Sequence, residues 1–266
     1  MTFSVFVAVM VVAVLKGALV ALPRGDALAH LGRLRSPAWA AVLPGSIVVG
    51  TVGVLVLPPM AFGLVLLAGA ATPLLTAVAM VGVVRGPRAA LLVAALVLVV
   101  VAGLASGWIG ELSASVLTAL GCLTVGVALV RLVPGRWVLA GVVCMCAIDV
   151  ALLALGVGQS AEALMVDAAT HVHGPAFDRA GIGPISTDYP DLVLAAVLGG
   201  FVAGHGVQRR AAMLVTALAA GYGMLLPHVE TLPGTVPIAV IFILLRWGPF
   251  APRWRADAVV PAAAAP

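Results

Sequence analysis

Two aspartates stand where few charges are found. Asp149 lies in Val142-Val-Cys-Met-Cys-Ala-Ile-Asp149-Val-Ala-Leu-Leu153, with no other charge within ten residues of it. Asp191 follows Pro190 and opens the apolar run Leu192-Val-Leu-Ala-Ala-Val-Leu198, with Asp188 three residues earlier. Singly, Asp188 and Asp191 read as N-capping acids at a helix start, favoured by the backbone dipole. Asp149 alone reads as an acid that hydrogen-bonds helices together. As a pair they read differently. Two carboxyls sharing one site do not both ionise readily, so one keeps a proton. The ionised one can take a proton from water while the other donates to a carbonyl oxygen. That is aspartic hydrolysis of a peptide bond. Asp149 and Asp191 are the expected catalytic acids, with Asp188 as the alternative second acid.

Other chemistries find less support. There is no G-x-S-x-G and no HExxH. His171-Val-His173 is a weak metal signal, and neither a metal nor a cofactor is expected. Cys122, Cys144 and Cys146 lie in apolar segments without a CxxC pattern and read as small core residues. Lys16, the sole lysine, falls about six residues from the end of the first apolar run; its stem is expected to carry the charge to the interface.

The elements that must position these residues are membrane helices. The chain has 266 residues, 63% hydrophobic and 9% charged, too few polar groups to cover a soluble domain of this size. The net charge is +4, but the arginines come in ones and twos between apolar runs, not as a patch, which argues against nucleic acid. Their excess over lysine fits a GC-rich bacterial genome and hence a multi-pass protein of the bacterial plasma membrane. The run 3–22 lacks a basic leader and is long enough to span, so it is expected to stay as the first helix.

Cutting at charges and Pro/Gly clusters gives nine candidate spans, near 3–22, 38–57, 60–84, 89–108, 112–130, 137–157, 190–207, 211–227 and 232–246. Arg24, Arg33, Arg35, Arg85, Arg88, Arg131, Arg136, Arg209, Arg210, Arg246, Arg253 and Arg255 then share one side. Glu111, Glu162, Asp167, Asp178, Asp188 and Glu230 take the other, with Arg179 as its base. The positive-inside rule makes this N-out and C-in. Trp39, Trp108, Trp137 and Trp247 fall at span ends, as interfacial indoles do. The expected architecture is all-α: a polytopic helical bundle forming one transmembrane domain over 1–250, with a disordered cytoplasmic tail at 251–266. One connection is long, the outer, polar stretch 158–189, of the kind that forms lids or binding segments. If span seven ran unbroken, Asp191 would lie about 27 Å along it from Arg209, against about 20 Å for Asp149 from Arg136.

This layout resembles the presenilin and signal peptide peptidase group of intramembrane aspartyl proteases. Those proteins have nine spans, aspartates in the sixth and seventh with a long loop between, and a Pro-Ala-Leu motif opening the ninth. Here the Tyr-Asp of span six reads Ile148-Asp149, and the Gly-x-Gly-Asp of span seven reads Asp188-Tyr189-Pro190-Asp191. Pro233-Gly234-Thr235 stands where Pro-Ala-Leu would fall. The N-out orientation is similar to the signal peptide peptidase branch. The resemblance is to a divergent member, covering most of the chain by architecture and about twenty residues by motif. It implies cleavage of transmembrane helices or signal-peptide remnants, with Pro233, Gly234 and Thr235 binding substrate beside the acids. The expected partners are the lipid bilayer and a transmembrane-helix substrate. Two other readings stand beside it. Asp149 could titrate alone in a proton-coupled carrier, or pair with a partner's base in a non-catalytic subunit. Oligomeric state is not legible.

Overall fold

The computed structural model describes residues 3–172, 177, 179–183, 185–225 and 232–247, without the side chains of Phe3, Arg246 and Trp247. His173, Asp178, Glu230, Arg253, Arg255 and the 251–266 tail lie outside the described residues.

Each of the nine apolar segments contains a helix. In chain order these are α1 (Phe3–Ala21), α2 (Val42–Val56), α3 (Pro59–Val78), α4 (Arg88–Leu104), α5 (Trp108–Leu132) and α6 (Gly135–Ala154). After α7 (Val157–Thr170) come α8 (Tyr189–Val202), α9 (Gln208–Gly223) and α10 (Thr235–Trp247). A 3-10 turn (Pro37–Ala41) leads into α2, and a π turn (Ala79–Val83) continues α3. Prolines mark several starts, where a missing N–H costs nothing: Pro59 opens α3, Pro190 sits in the first turn of α8, and Pro87 and Pro134 precede α4 and α6. Five stretches are long and apolar enough to cross a membrane: Ser4–Ala21, Pro37–Val56, Pro59–Val83, Trp108–Leu132 and Gly135–Ala154. The helices α4, α8 and α10 are apolar but shorter. The protein is thus α-helical, with apolar helices suited to a membrane.

The connection 158–189 is not the plain loop its polarity implies. It holds α7 and an antiparallel hairpin of β1 (Arg179–Ile182) and β2 (Ile185–Asp188). Helix α7 forms because Ala161, Leu164, Met165 and Ala168 recur at helical spacing and pack on Val54, Ala61 and Leu64 of α2 and α3. The hairpin is pinned to α5. Ser115 Oγ lies 2.8 Å from both Gly181 N and Gly181 O, so one hydroxyl caps both outward groups of β1. Glu111 Oε2 accepts from Gly183 N at 2.8 Å.

Helix α5 is the centre of the bundle, buried along most of its length from Ser113 to Leu129. It packs against α8 so closely that a Cβ on Gly126 would sit 2.7 Å from Val197 N. On the other side of α8, a Cβ at Gly199 would meet the Val20 backbone at 2.8 Å. Small residues therefore draw α1, α8 and α5 to backbone contact, the usual device where apolar burial cannot drive association. Buried hydroxyls join the helices further: Thr76 donates to Leu117 O at 2.9 Å and Thr124 to Leu75 O at 2.7 Å. At one end, Gln208 Nε2 lies 3.0–3.1 Å from the carbonyls of Val20, Ala21 and Pro23, satisfying groups left open where α1 stops. The outer faces of α2 to α4 expose Val49, Val56, Leu67, Leu74, Val93 and Leu96, an apolar surface that suits lipid. Cys122 and Cys146 are buried or half-buried as expected, but Cys144 is exposed on α6. Its neighbour Met145 takes the inward position on that turn.

Candidate functional site

Helices α6, α8, α10 and α1 deliver the candidate residues to one place. Asp149 lies in the C-terminal half of α6, half-buried, and Asp191 in the first turn of α8. The start of α10 joins them. Thr235 Oγ1 donates to Asp149 Oδ2 at 2.6 Å. A Cβ added to the preceding Gly234 would collide with the Asp191 carboxylate, lying 2.5 Å from its Cγ. Consecutive residues, whose Cα atoms are about 3.8 Å apart, therefore hold the two acids. Only glycine lets the backbone come this close to Asp191. Asp149 also lies within electrostatic range of Asp191. Pro233, half-buried, precedes Gly234 and sends the chain into α10.

The fold also removes the depth mismatch between the acids. Span seven does not run unbroken to Arg209: helix α8 stops at Val202, and the chain turns through Ala203–Val207 before α9 begins. Asp191 is thus about 17 Å from the end of its helix, and Asp149 about 21 Å from the start of α6. Gly204, with φ of 81°, takes a backbone conformation that ends a helix readily.

Lys16 does not reach for the interface. It is 6% exposed, and its Nζ lies 3.0 Å from Asp191 Oδ2. Helix geometry explains the correction. The Cα–Cβ bond tilts toward the N-terminus of a helix, so the Lys16 stem runs away from the nearby end of α1 and into the bundle. Thr187 of β2 adds a second donor, its Oγ1 lying 2.8 Å from the same Asp191 oxygen. The hairpin is what brings Thr187 there. Cys146, one turn before Asp149, and Tyr222 of α9 complete the surroundings, both within electrostatic range of the two acids.

Asp188 is brought near but sits in different surroundings. It ends β2 and precedes α8, with its side chain exposed and no capping bond. Solvent touches its surface, yet protein surrounds it on most sides. Its carboxyl is pushed up to about 7, first by desolvation, then by the like charges of Asp191, Glu162 and Asp149. It is a less protected acid than Asp191, which is 13% exposed and holds two donors. His171 is exposed on the end of α7, its Nδ1 2.9 Å from Asp167 O, and no metal-binding cluster occurs among the described residues.

Lys16, Thr187, Cys146 and Tyr222 were not picked out by sequence as members of this cluster. For Lys16 a signal existed: opposite charges inside apolar helices tend to pair with one another. The others carry none, since Thr187 depends on a hairpin and Tyr222 on the packing of α9.

A separate cavity of about 640 Å³ opens between the hairpin and the α4–α5 turn, lined by Glu111, Ser115, Arg179 and Ser186 among glycines. Its lining does not include Asp149 or Asp191.

No family model, no curated protein and no solved structure matches this chain.

Proposed function

We propose that the chain is an intramembrane aspartyl protease, a divergent relative of the presenilin and signal peptide peptidase group, that cuts transmembrane helices or signal-peptide remnants. In this reading it crosses the bacterial plasma membrane nine times, N-out and C-in, with α7 and the hairpin on the outer side. The observation that carries it is that Gly234 and Thr235, neighbours in the chain, bear on Asp191 and Asp149 respectively. Three segments named for their chemistry from sequence meet at one point, and a pair of acids placed only to glue helices would not call for the third.

The chemistry follows from one ionised and one protonated carboxyl. The carboxylate takes a proton from water as the oxygen attacks the peptide carbonyl carbon, and the acid gives its proton to the carbonyl oxygen. The resulting gem-diol collapses when the nitrogen takes a proton from the first carboxyl, the C–N bond breaks, and a hydroxyl returns its proton to the second. Both acids end as they began. A helix substrate must first unwind, and its exposed backbone needs partners. Ser186, which pairs with Gly181, turns its backbone groups outward on the far edge of β2, as Gly181 does toward Ser115. That edge leads toward Asp191 and can accept an extended strand.

The test uses the full chain in lipid vesicles with a single-span peptide, its fragments read by mass spectrometry. Cleavage by the wild type should fall by roughly 10²- to 10⁴-fold in Asp149→Asn and in Asp191→Asn. A wild type that cuts nothing, or either variant cutting at the wild-type rate, overturns the reading.

The Lys16–Asp191 ion pair beside a second acid also favours a proton-coupled carrier, because such groups mark ion pathways. Proton uptake by the same vesicles without fragment release would favour that alternative.

A further inference from the structure

Lys16 has no part in the hydrolysis as written, and a buried ammonium needs a reason to be there. It touches one acid and not the other. Its Nζ and the Thr187 hydroxyl both bear on Asp191 Oδ2, at 3.0 and 2.8 Å. Asp149 receives the Thr235 hydroxyl instead, at 2.6 Å, and no ion pair among the described residues. Asp188, Cys146 and Tyr222 also lie around the acids, and Lys16 is within electrostatic range of Asp149 as well as in contact with Asp191. By direct contact among the described residues, the pair is therefore lopsided.

We propose that Lys16 is a positioning residue that fixes the roles of the two acids: Asp191, ion-paired, is the charged member, and Asp149 carries the proton. In the hydrolytic reading, on which the roles rest, Asp191 is then the base toward water and Asp149 the acid toward the carbonyl oxygen. One feature of the geometry agrees. Asp191 meets an ammonium and a hydroxyl, a pair that suits a carboxylate, whereas Asp149 meets the uncharged donors of Thr235, its hydroxyl and its backbone amide. With Asp149 protonated, Lys16 and Asp191 cancel, so the three groups carry no net charge where two bare carboxylates would carry two, which lowers the cost in an apolar bundle.

Dicyclohexylcarbodiimide tests the charge assignment without any substrate. It reacts with a protonated carboxyl: the proton passes to a carbodiimide nitrogen, the carboxyl oxygen bonds to the central carbon, and rearrangement leaves a stable N-acylurea. Ionised carboxylates are passed over. The full-length protein in vesicles, labelled at pH 7 and mapped by mass spectrometry, should carry the adduct on Asp149 and little on Asp191. A cation within about 4 Å changes the protonated fraction of a carboxyl by roughly ten- to a thousandfold, so Lys16→Met should raise Asp191 labelling by at least about tenfold. Lys16→Arg should restore the wild-type pattern, which a purely structural role for the lysine would not require. The wild-type map stands even if Lys16→Met does not fold. Equal labelling of both acids, labelling of Asp191 alone, or none on Asp149 overturns the assignment. A correct map with no cleavage of any helix substrate would sink the protease reading and leave the charge assignment standing. Cleavage with a reversed map would do the opposite.

Discussion

Replacing Gly234 by alanine adds one methyl group at the point where the site is tightest. That Cβ would lie 2.5 Å from Asp191 Cγ, with the carboxylate oxygens also in conflict. Ordinary contact needs about 1 Å more, since carbon atoms pack at roughly 3.5–4.0 Å. The carboxylate is poorly placed to yield, because Lys16 and Thr187 hold Oδ2 at 3.0 and 2.8 Å. Either those bonds lengthen or the start of α10 backs away, taking Thr235 from Asp149. Overpacking of this kind costs about 1–3 kcal/mol of stability. Its effect on catalysis is larger, because a misplacement of about 1 Å in a reacting group costs about a hundredfold. The assay is kcat/KM on a single-span peptide, with thermal unfolding measured on the same preparations. Gly221→Ala is the control: that helical glycine on α9 has open space around its Cβ, and neither quantity should fall. A folded Gly234→Ala protein that keeps its activity to within about a factor of three, where a displaced carboxylate should cost about a hundredfold, would refute the close approach as the basis of the site.

Two further expectations follow from single contacts. Thr235→Val keeps the shape of the side chain but deletes the donor to Asp149, a hydrogen bond of 2.6 Å. A hydrogen bond to a neutral carboxyl is worth about 0.5–1.5 kcal/mol, so kcat should drop roughly two- to tenfold with KM little changed. A change confined to KM would show that Thr235 serves binding instead. Asp188 sets a pH dependence of stability. Its carboxyl is raised to about 7 in the folded protein, from about 3.9 when unfolded. The folded state therefore holds this proton more tightly, and the stability it contributes is present below about pH 4 and lost as pH rises through about 7. Asp188→Asn should flatten the fall in thermal midpoint between about pH 4 and 7. An unchanged slope in the variant would place the pH dependence on another group.

The positions of the helices could be read because composition acts locally. Runs such as Leu91–Leu104 declare themselves without reference to the rest of the chain, and each apolar segment contains a helix. Charge silence around Asp149 and the proline before Asp191 were enough to single out both acids. What sequence could not supply was distance. Lys16 and Asp191 are 175 positions apart, and only packing of α1 on α8 through Gly199 makes them neighbours. The long connection misled for another reason. Its scattered charges, histidines and hydroxyls make it read as a polar loop, but the apolar stripe from Ala161 to Ala168 decides its structure. The assumed length of span seven failed because Ala203–Val207 has no strong breaker except Gly204 and Gly206, and glycine alone does not end an apolar run.

The cluster draws on widely separated parts of the chain: Lys16 comes from α1 and Thr235 from α10. A ribosome makes these helices in order. Lys16 and Asp149 must therefore enter the membrane before the residues that neutralise or bond them exist, and the acids are not held together until α10 has been synthesised. The nascent protein thus carries a bare lysine until α8 is made and an unbonded acid until α10 is made. In the hydrolytic reading it is inert toward its neighbours over the same interval. In that reading activity begins only once α10 is in place, so a chain truncated before residue 235 would be harmless as a hydrolase and exposed as a substrate for quality control.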